Sequence, residues 1–183
     1  MSLIELLIVT LVLGIVMLVV TLILTSSSHA QAKTAARASI QGACREAMSL
    51  MSTELRQAGA DPKNPPAGVT AIVYGDSVTI HVRSDLNGDG VIETAEPSED
   101  VTYSFNPTTQ VITRDPGSGP STVLANVSNM RLSYFDSSNN PLAALPLSAA
   151  DAAAVHSIAL SITSVGQGAQ PITLSTQILL RNR

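Results

Sequence analysis

The hydrophobic pattern changes period partway along the chain. From Leu3 to Leu24 nearly every position is apolar, interrupted only by Glu5, Thr10, Gly14 and Thr21. A run of that length matches a helix that crosses a bilayer. Thr25 to His29 is polar, yet it contains nothing that stops a helix. From Ala30 to Ala58 helix formers dominate. Ala36, Ile40, Ala43, Cys44, Ala47, Met51, Leu55 and Ala58 recur at spacings of three and four and form one apolar stripe. Lys33, Arg37, Gln41 and Arg45 make a polar row at four-residue spacing. Gly59 suits a left-handed cap, and Pro62, Pro65 and Pro66 block continuation. The pattern predicts one helix over residues 2–58, about 85 Å long at 1.5 Å per residue. Residues 1–25 would be its membrane or filament-core half, and 26–60 an amphipathic half packed under a head.

Past Pro66 the period falls to two. Val78, Ile80 and Val82 alternate with Thr79, His81 and Arg83, and Val101, Tyr103 and Phe105 with Thr102 and Ser104. Met130, Leu132 and Tyr134 repeat the pattern, as do Ile158, Leu160 and Ile162, then Ile172, Leu174, Thr176, Ile178 and Leu180. Turn residues separate these runs at Asp115-Pro116-Gly117, Gly119-Pro120, Ser137 to Pro141 and Gly166 to Pro171. The short connections favour antiparallel pairing, one face on the helix stripe and one in water. Leu142 to Val155 is alanine-rich, a loop with a helical turn after Ser148. Residues 61–183 thus read as an antiparallel β head, and the fold class is α+β.

Composition narrows the function. A net charge of −4, 3% aromatics and no Trp in 183 residues speak against a nucleic-acid surface, which needs basic charge and stacking rings. The single Cys44 excludes an intrachain disulfide, so the head must be held together another way.

Glu5 is the only charged side chain before Lys33. An ionised acid within an apolar span costs roughly 2.5–3.5 kcal/mol at the helix centre and less near an end. Such a group is normally retained for a partner. A secretory signal peptide has a shorter apolar core than this, and a plain single-pass anchor leaves Glu5 unexplained.

The stretch Ser2-Leu3-Ile4-Glu5-Leu6-Leu7-Ile8-Val9 resembles the N-terminus of type IV pilins and type II secretion pseudopilins. The resemblance implies a pilin fold, with a long N-terminal helix packed on an antiparallel sheet. It implies that Met1 is the mature, N-methylated residue left by prepilin peptidase. Glu5 would be the glutamate that meets the terminal amine of a neighbouring subunit. Met1 stands where the family usually has Phe. Glu54-Leu55-Arg56-Gln57-Ala58-Gly59, Asn126-Val127, Leu132-Ser133-Tyr134-Phe135-Asp136 and Leu180-Arg181-Asn182 are similar to W-type minor pilins and J-type minor pseudopilins. The implied partners are other minor and major pilins or pseudopilins and an inner-membrane assembly platform. The implied localisation is a single-pass inner-membrane protein with its head in the periplasm or outside, then a filament or its tip at the cell surface.

A second pattern lies in Asp85-Leu86-Asn87-Gly88-Asp89-Gly90-Val91-Ile92-Glu93-Thr94-Ala95-Glu96, which fits the twelve-residue calcium loop of EF-hands. The ligands would be Asp85, Asn87, Asp89, the Val91 carbonyl, Glu93 and Glu96, with Gly90 at the sharp turn and Ile92 as apolar anchor. Several anionic oxygens on one loop call for a hard cation. The flanking runs are strands and not helices, so the likeness stops at the loop. Asn87-Gly88 and Asp89-Gly90 are also turn dipeptides, and a solvated hairpin insertion is the competing reading. Glu99 and Asp100 would add charge or a ligand.

No nucleophile elbow, phosphate loop, zinc spacing or catalytic carboxylate pair stands out. His29, His81 and His156 lie far apart, in the polar interval or on outward strand positions, where solvation is expected. The chain therefore reads as a non-enzymatic assembly subunit that helps initiate or cap a pilus or pseudopilus. The alternative is a membrane-anchored periplasmic calcium-binding recognition module.

Overall fold

A computed structural model describes residues 3–63, 66–94, 98–166 and 170–181. One helix, α1 (Leu3–Gln57), runs unbroken through the polar interval. Several of its hydroxyls bond back within the helix: Thr21 Oγ1 donates to Met17 O (2.8 Å) and Thr25 Oγ1 to Thr21 O (3.0 Å). Such back-bonding lets Thr and Ser sit mid-helix without opening the backbone. The helix ends as its sequence predicts, with Gly59 at φ +77°. The Gly59 N–H leaves the helix and donates to Arg83 O (2.8 Å).

The head holds two antiparallel sheets where the alternation pointed to one. β1 (Ile72–Gly75), β2 (Thr79–Arg83), β3 (Asp100–Asn106), β4 (Val111–Asp115) and β5 (Ser121–Ala125) form a five-stranded meander in chain order. β6 (Val127–Phe135), β7 (Ser157–Ser164) and β8 (Ile172–Leu179) form a three-stranded sheet, with the short α2 (Ala149–Ala154) between β6 and β7. Asn126, at φ +58°, is the single residue that turns the chain from one sheet to the other. Its carbonyl accepts from Ser164 Oγ and the Val165 N–H. Strands β1, β4 and β5 escape the sequence pattern because each buries few residues. Ile112 is the only buried residue of β4 and Leu124 of β5. Two-residue alternation needs a longer run to register.

One hydrophobic core joins both sheets to the helix. The helix contributes Cys44, Ala47, Met48, Met51 and Leu55. Ala43, expected on the buried stripe, is exposed, and Ala36 and Ile40 are only half-buried. The head covers only the last turns of α1, so the stripe's first residues project beyond it.

A polar lock reinforces this packing. Glu54 accepts from Arg114 on β4 (Nε to Oε1, 3.0 Å; guanidinium to Oε1, 2.9 Å) and from the Tyr103 hydroxyl on β3 (2.5 Å to Oε2). Both charged side chains are mostly sheltered from water, and the Tyr103 hydroxyl titrates well above its usual range because of burial and the adjacent carboxylate. Removing one partner of such a pair strands the other charge. Arg114→Ala should therefore cost about 3 kcal/mol, and Glu54→Gln with Arg114→Met together markedly less. Thermal unfolding of the detergent-solubilised chain measures both; equal losses would contradict the lock.

Candidate functional site

Two places carry the sequence-predicted chemistry. Glu5 stands exposed in the first turn of α1, among the side chains of Leu3 to Leu24 that no other part of the molecule covers. By length and composition this half of the helix can cross a membrane. Met1 lies outside the described residues.

The acidic loop joins β2 to β3. Its base is tied twice: the Ser84 N–H donates to Glu99 O (2.9 Å), and the Asp85 N–H to Ala60 O (2.7 Å), next to the helix cap. Asp85 is fully buried, and its two oxygens accept the N–H groups of Gly88 (2.6 Å) and Gly90 (2.7 Å). Glu99 is buried as deeply and accepts from Leu86 (2.6 Å), Asn87 (3.1 Å) and Glu93 (3.2 Å). Gly88 and Gly90 take φ +81° and +80°, the left-handed turns expected of these glycines. At Gly90 a Cβ would also run into the Lys63 side chain, whose Nζ donates to Asp89 O (2.7 Å).

Above this floor three predicted ligands meet. The Asn87 side-chain amide reaches Asp89 Oδ2 and Glu93 Oε2, each at 3.2 Å, while Asn87 Oδ1 accepts the Asp89 N–H (2.9 Å). Asp89 Oδ1 accepts the Val91 N–H (2.7 Å). Two anionic oxygens thus share the amide nitrogen of Asn87, and paired carboxylate oxygens are the donor type that suits a hard cation. Among the described residues, no three His, Cys, Asp or Glu side chains close around one point. Glu96 lies outside the described residues. Asp85 sits beneath the convergence and organises the loop backbone.

Two side chains depart from expectation. His81 is not simply solvated: its Nε2 pairs with Asp100, which Arg83 Nε also contacts (3.0 Å). Burial pushes the Asp100 carboxyl up, but His81 and Arg83 outweigh it and hold the carboxyl below its usual range. Glu99 is a clamp on three backbone amides, a role invisible in a bare acidic cluster. The only advance signal was its place immediately before a strand.

The same device recurs around the head. Asp61 accepts from Ala67, Gly68 and Val69; Asp76 from Val78 and Thr79; Asp115 from Gly117 and Gly119; Asp136 from Ser138 and Asn140. A cleft of about 490 Å³ between β1 and α2 has Arg83 as its one charged lining residue among those described. No protein-family model matches the chain, and no curated protein matches it in sequence.

Hydrogen bonds from the backbone of Ala67 hold Asp61 below the usual carboxylate range, and those of Asn140 do the same for Asp136. A depressed folded value contributes stability that is complete above the unfolded value, about 4, and is lost as pH falls through the folded one. Head stability should therefore be level near neutrality and decline below about pH 4. Asp61→Asn should flatten part of that decline. Urea unfolding across pH checks it, and a wild-type curve level down to about pH 2 would contradict it.

Proposed function

We propose that this chain is a filament-assembly subunit of the minor pilin or pseudopilin kind, inserted in the inner membrane before assembly and then built into a filament or its tip. The observation that carries this reading is an uncovered apolar half-helix bearing one carboxylate at position 5, continuous with a helix clamped into a folded head. A helix serving only as a tether has no use for that carboxylate. In a laterally packed bundle, Glu5 would meet the amine of Met1 on a neighbour, which offsets its desolvation and fixes the axial register. The role is structural and non-enzymatic.

In the same reading the head loop takes one calcium ion through Asn87, Asp89 and Glu93, with the Val91 carbonyl and Glu96 completing the set and Asp85 shaping the floor. The ion would supply positive charge to a loop rich in carboxylates. Binding to the folded state alone adds stability by mass action.

Glu5→Ala should leave membrane insertion intact and reduce recovery of the chain in sheared filaments or in cross-linked complexes with partner subunits. Undiminished incorporation would remove the assembly role. For the metal, Asp85→Ala is a poor probe, because it breaks the loop's own hydrogen bonds. Asp89→Asn and Glu93→Gln keep the fold and should each weaken calcium binding about tenfold or more, from a starting Kd near 10⁻⁴–10⁻³ M. Calorimetry on the solubilised chain reads this directly, and identical melting curves with calcium and with chelator would discard the ion.

A further inference from the structure

An open sheet has two edges, and each edge strand turns half of its peptide groups away from its one neighbour. The two sheets of the head have their edges at β1, β5, β6 and β8. Three of these are guarded. β1 is only four residues long and bulged between Ile72 and Tyr74, and its Gly75 O accepts the Leu147 N–H (2.8 Å). The pairing of β5 with β4 is bulged between Ile112 and Thr113, and β5 lies beside α1, where Ile40, Val123 and Leu124 line one cleft. On the outer side of β6, the Leu132 N–H donates to Ser77 O and the Leu142 N–H to Tyr134 O, each at 2.8 Å. β8 is different.

This strand runs Ile172-Thr173-Leu174-Ser175-Thr176-Gln177-Ile178-Leu179, with no charge, no Pro and no Gly. It pairs with β7 along its whole length without a bulge. The Leu180 N–H donates to His156 O (3.0 Å), which sets the phase of that ladder. Ile172, Leu174, Thr176 and Ile178 therefore turn their peptide groups to β7, and Thr173, Ser175, Gln177 and Leu179 turn theirs outward. All four outward residues are exposed, and among the described residues nothing bonds to their outward N–H and C=O groups. Thr173 Oγ1 pairs with Thr163 Oγ1 (2.9 Å) and Gln177 Nε2 donates to Ser157 Oγ (2.9 Å), which draws both side chains toward β7. The inner face of the strand is also incompletely covered. Ile172 and Ile178 are buried, yet Leu174 and Thr176 between them are only half-buried.

A row of outward donors and acceptors at this spacing fits one kind of partner, another extended backbone. Proteins guard their edges against such pairing with Lys, Pro, bulges or short strands, and β8 carries none of these. We propose that β8 accepts an antiparallel strand donated by a different protein chain, which extends the three-stranded sheet by one. The donated segment is uncharged and alternating. Its main chain bonds to Thr173, Ser175, Gln177 and Leu179, its apolar side chains cover Leu174 on the inner face, and its polar ones stand beside Ser175 and Gln177 on the outer face. A second copy of this chain does not fit. Two β8 edges meeting antiparallel are related by a two-fold axis normal to the sheet, so α1, packed along that sheet, would run in opposite directions in the two copies. Copies inserted in one membrane run their helices the same way. The inference does not rest on the filament-subunit reading, and its test is blind to Glu5.

The probe is a dye-labelled synthetic peptide with the sequence of β7, Ser157–Ser164, which is uncharged and alternates as the edge requires. Fluorescence anisotropy with the detergent-solubilised full chain should show saturable binding above that of micelles alone. With Ile158, Leu160 and Ile162 of the peptide turned inward, the N–H groups of its Ala159 and Ser161 face β8, and those of its Leu160 and Ile162 face away. N-methylation at Ala159 and Ser161 should weaken binding about tenfold or more, and N-methylation at Leu160 and Ile162 should leave it within about twofold. In the protein, Ser175→Pro removes one outward N–H at an edge, where Pro is tolerated, and Ser175→Lys leaves the backbone whole but guards the edge; each should cost about tenfold in affinity. Equal binding of the two methylated peptides would overturn the proposal, since apolar adhesion has no phase. Absence of saturable binding, or binding untouched by both Ser175 variants, would also overturn it. A dimer of the solubilised chain that Ser175→Pro dissolves would assign the edge to a second copy and overturn it as well.

Discussion

Everything in the head hangs on the last turns of α1. Cys44, Ala47, Met48, Met51 and Leu55 are the only helix side chains that the molecule itself buries. Burial of side chains this size contributes about 1.5–3 kcal/mol each for the larger ones, and that contribution fixes a helix about 83 Å long to a head through roughly its final quarter. The Glu54–Arg114–Tyr103 lock sits on the same stretch and gives it orientation, since an apolar stripe alone tolerates rotation more readily than a hydrogen-bonded carboxylate does. The apolar surface of the first half of the helix is covered by nothing else among the described residues, and it is long and apolar enough to cross a membrane.

The head has no disulfide, and its loops are held by carboxylates instead. Asp61, Asp76, Asp85, Glu99, Asp115 and Asp136 each accept two or more hydrogen bonds, chiefly from backbone N–H groups, in or at the edges of the connections between elements. Charge-assisted bonds of this kind are stronger than neutral ones. They also explain why a head with excess negative charge need not pair each carboxylate with a Lys or Arg.

Sequence periodicity revealed the elements that bury several residues in a row. The helix and the strands β2, β3, β6, β7 and β8 stand where the pattern put them. The strands with few buried residues were illegible, as was the division into two sheets, because that division turns on one left-handed Asn126 and no change of composition marks it. Gly59 and Gly90 were legible because their positions demand positive φ. The loop's acidic motif was legible in the sequence, and the structure shows the Asn87 amide bonded to Asp89 and Glu93. The roles of Glu99, Asp100 and His81 were not, since they depend on which backbone amides and side chains the β2–β3 ladder brings opposite them.

The acidic loop also bears on how the protein ages chemically. Asn-Gly is the dipeptide most prone to deamidation, in which the glycine nitrogen attacks the asparagine side-chain carbonyl, expels ammonia and forms a succinimide that water then opens. Here the nitrogen of Gly88 is committed to Asp85, and the Asn87 amide is held between Asp89 and Glu93. Both reacting groups are engaged by other partners in the folded loop. A folded loop thus engages groups that an unfolded one leaves free to react, and the same contacts that shape the site bear on its chemical lifetime.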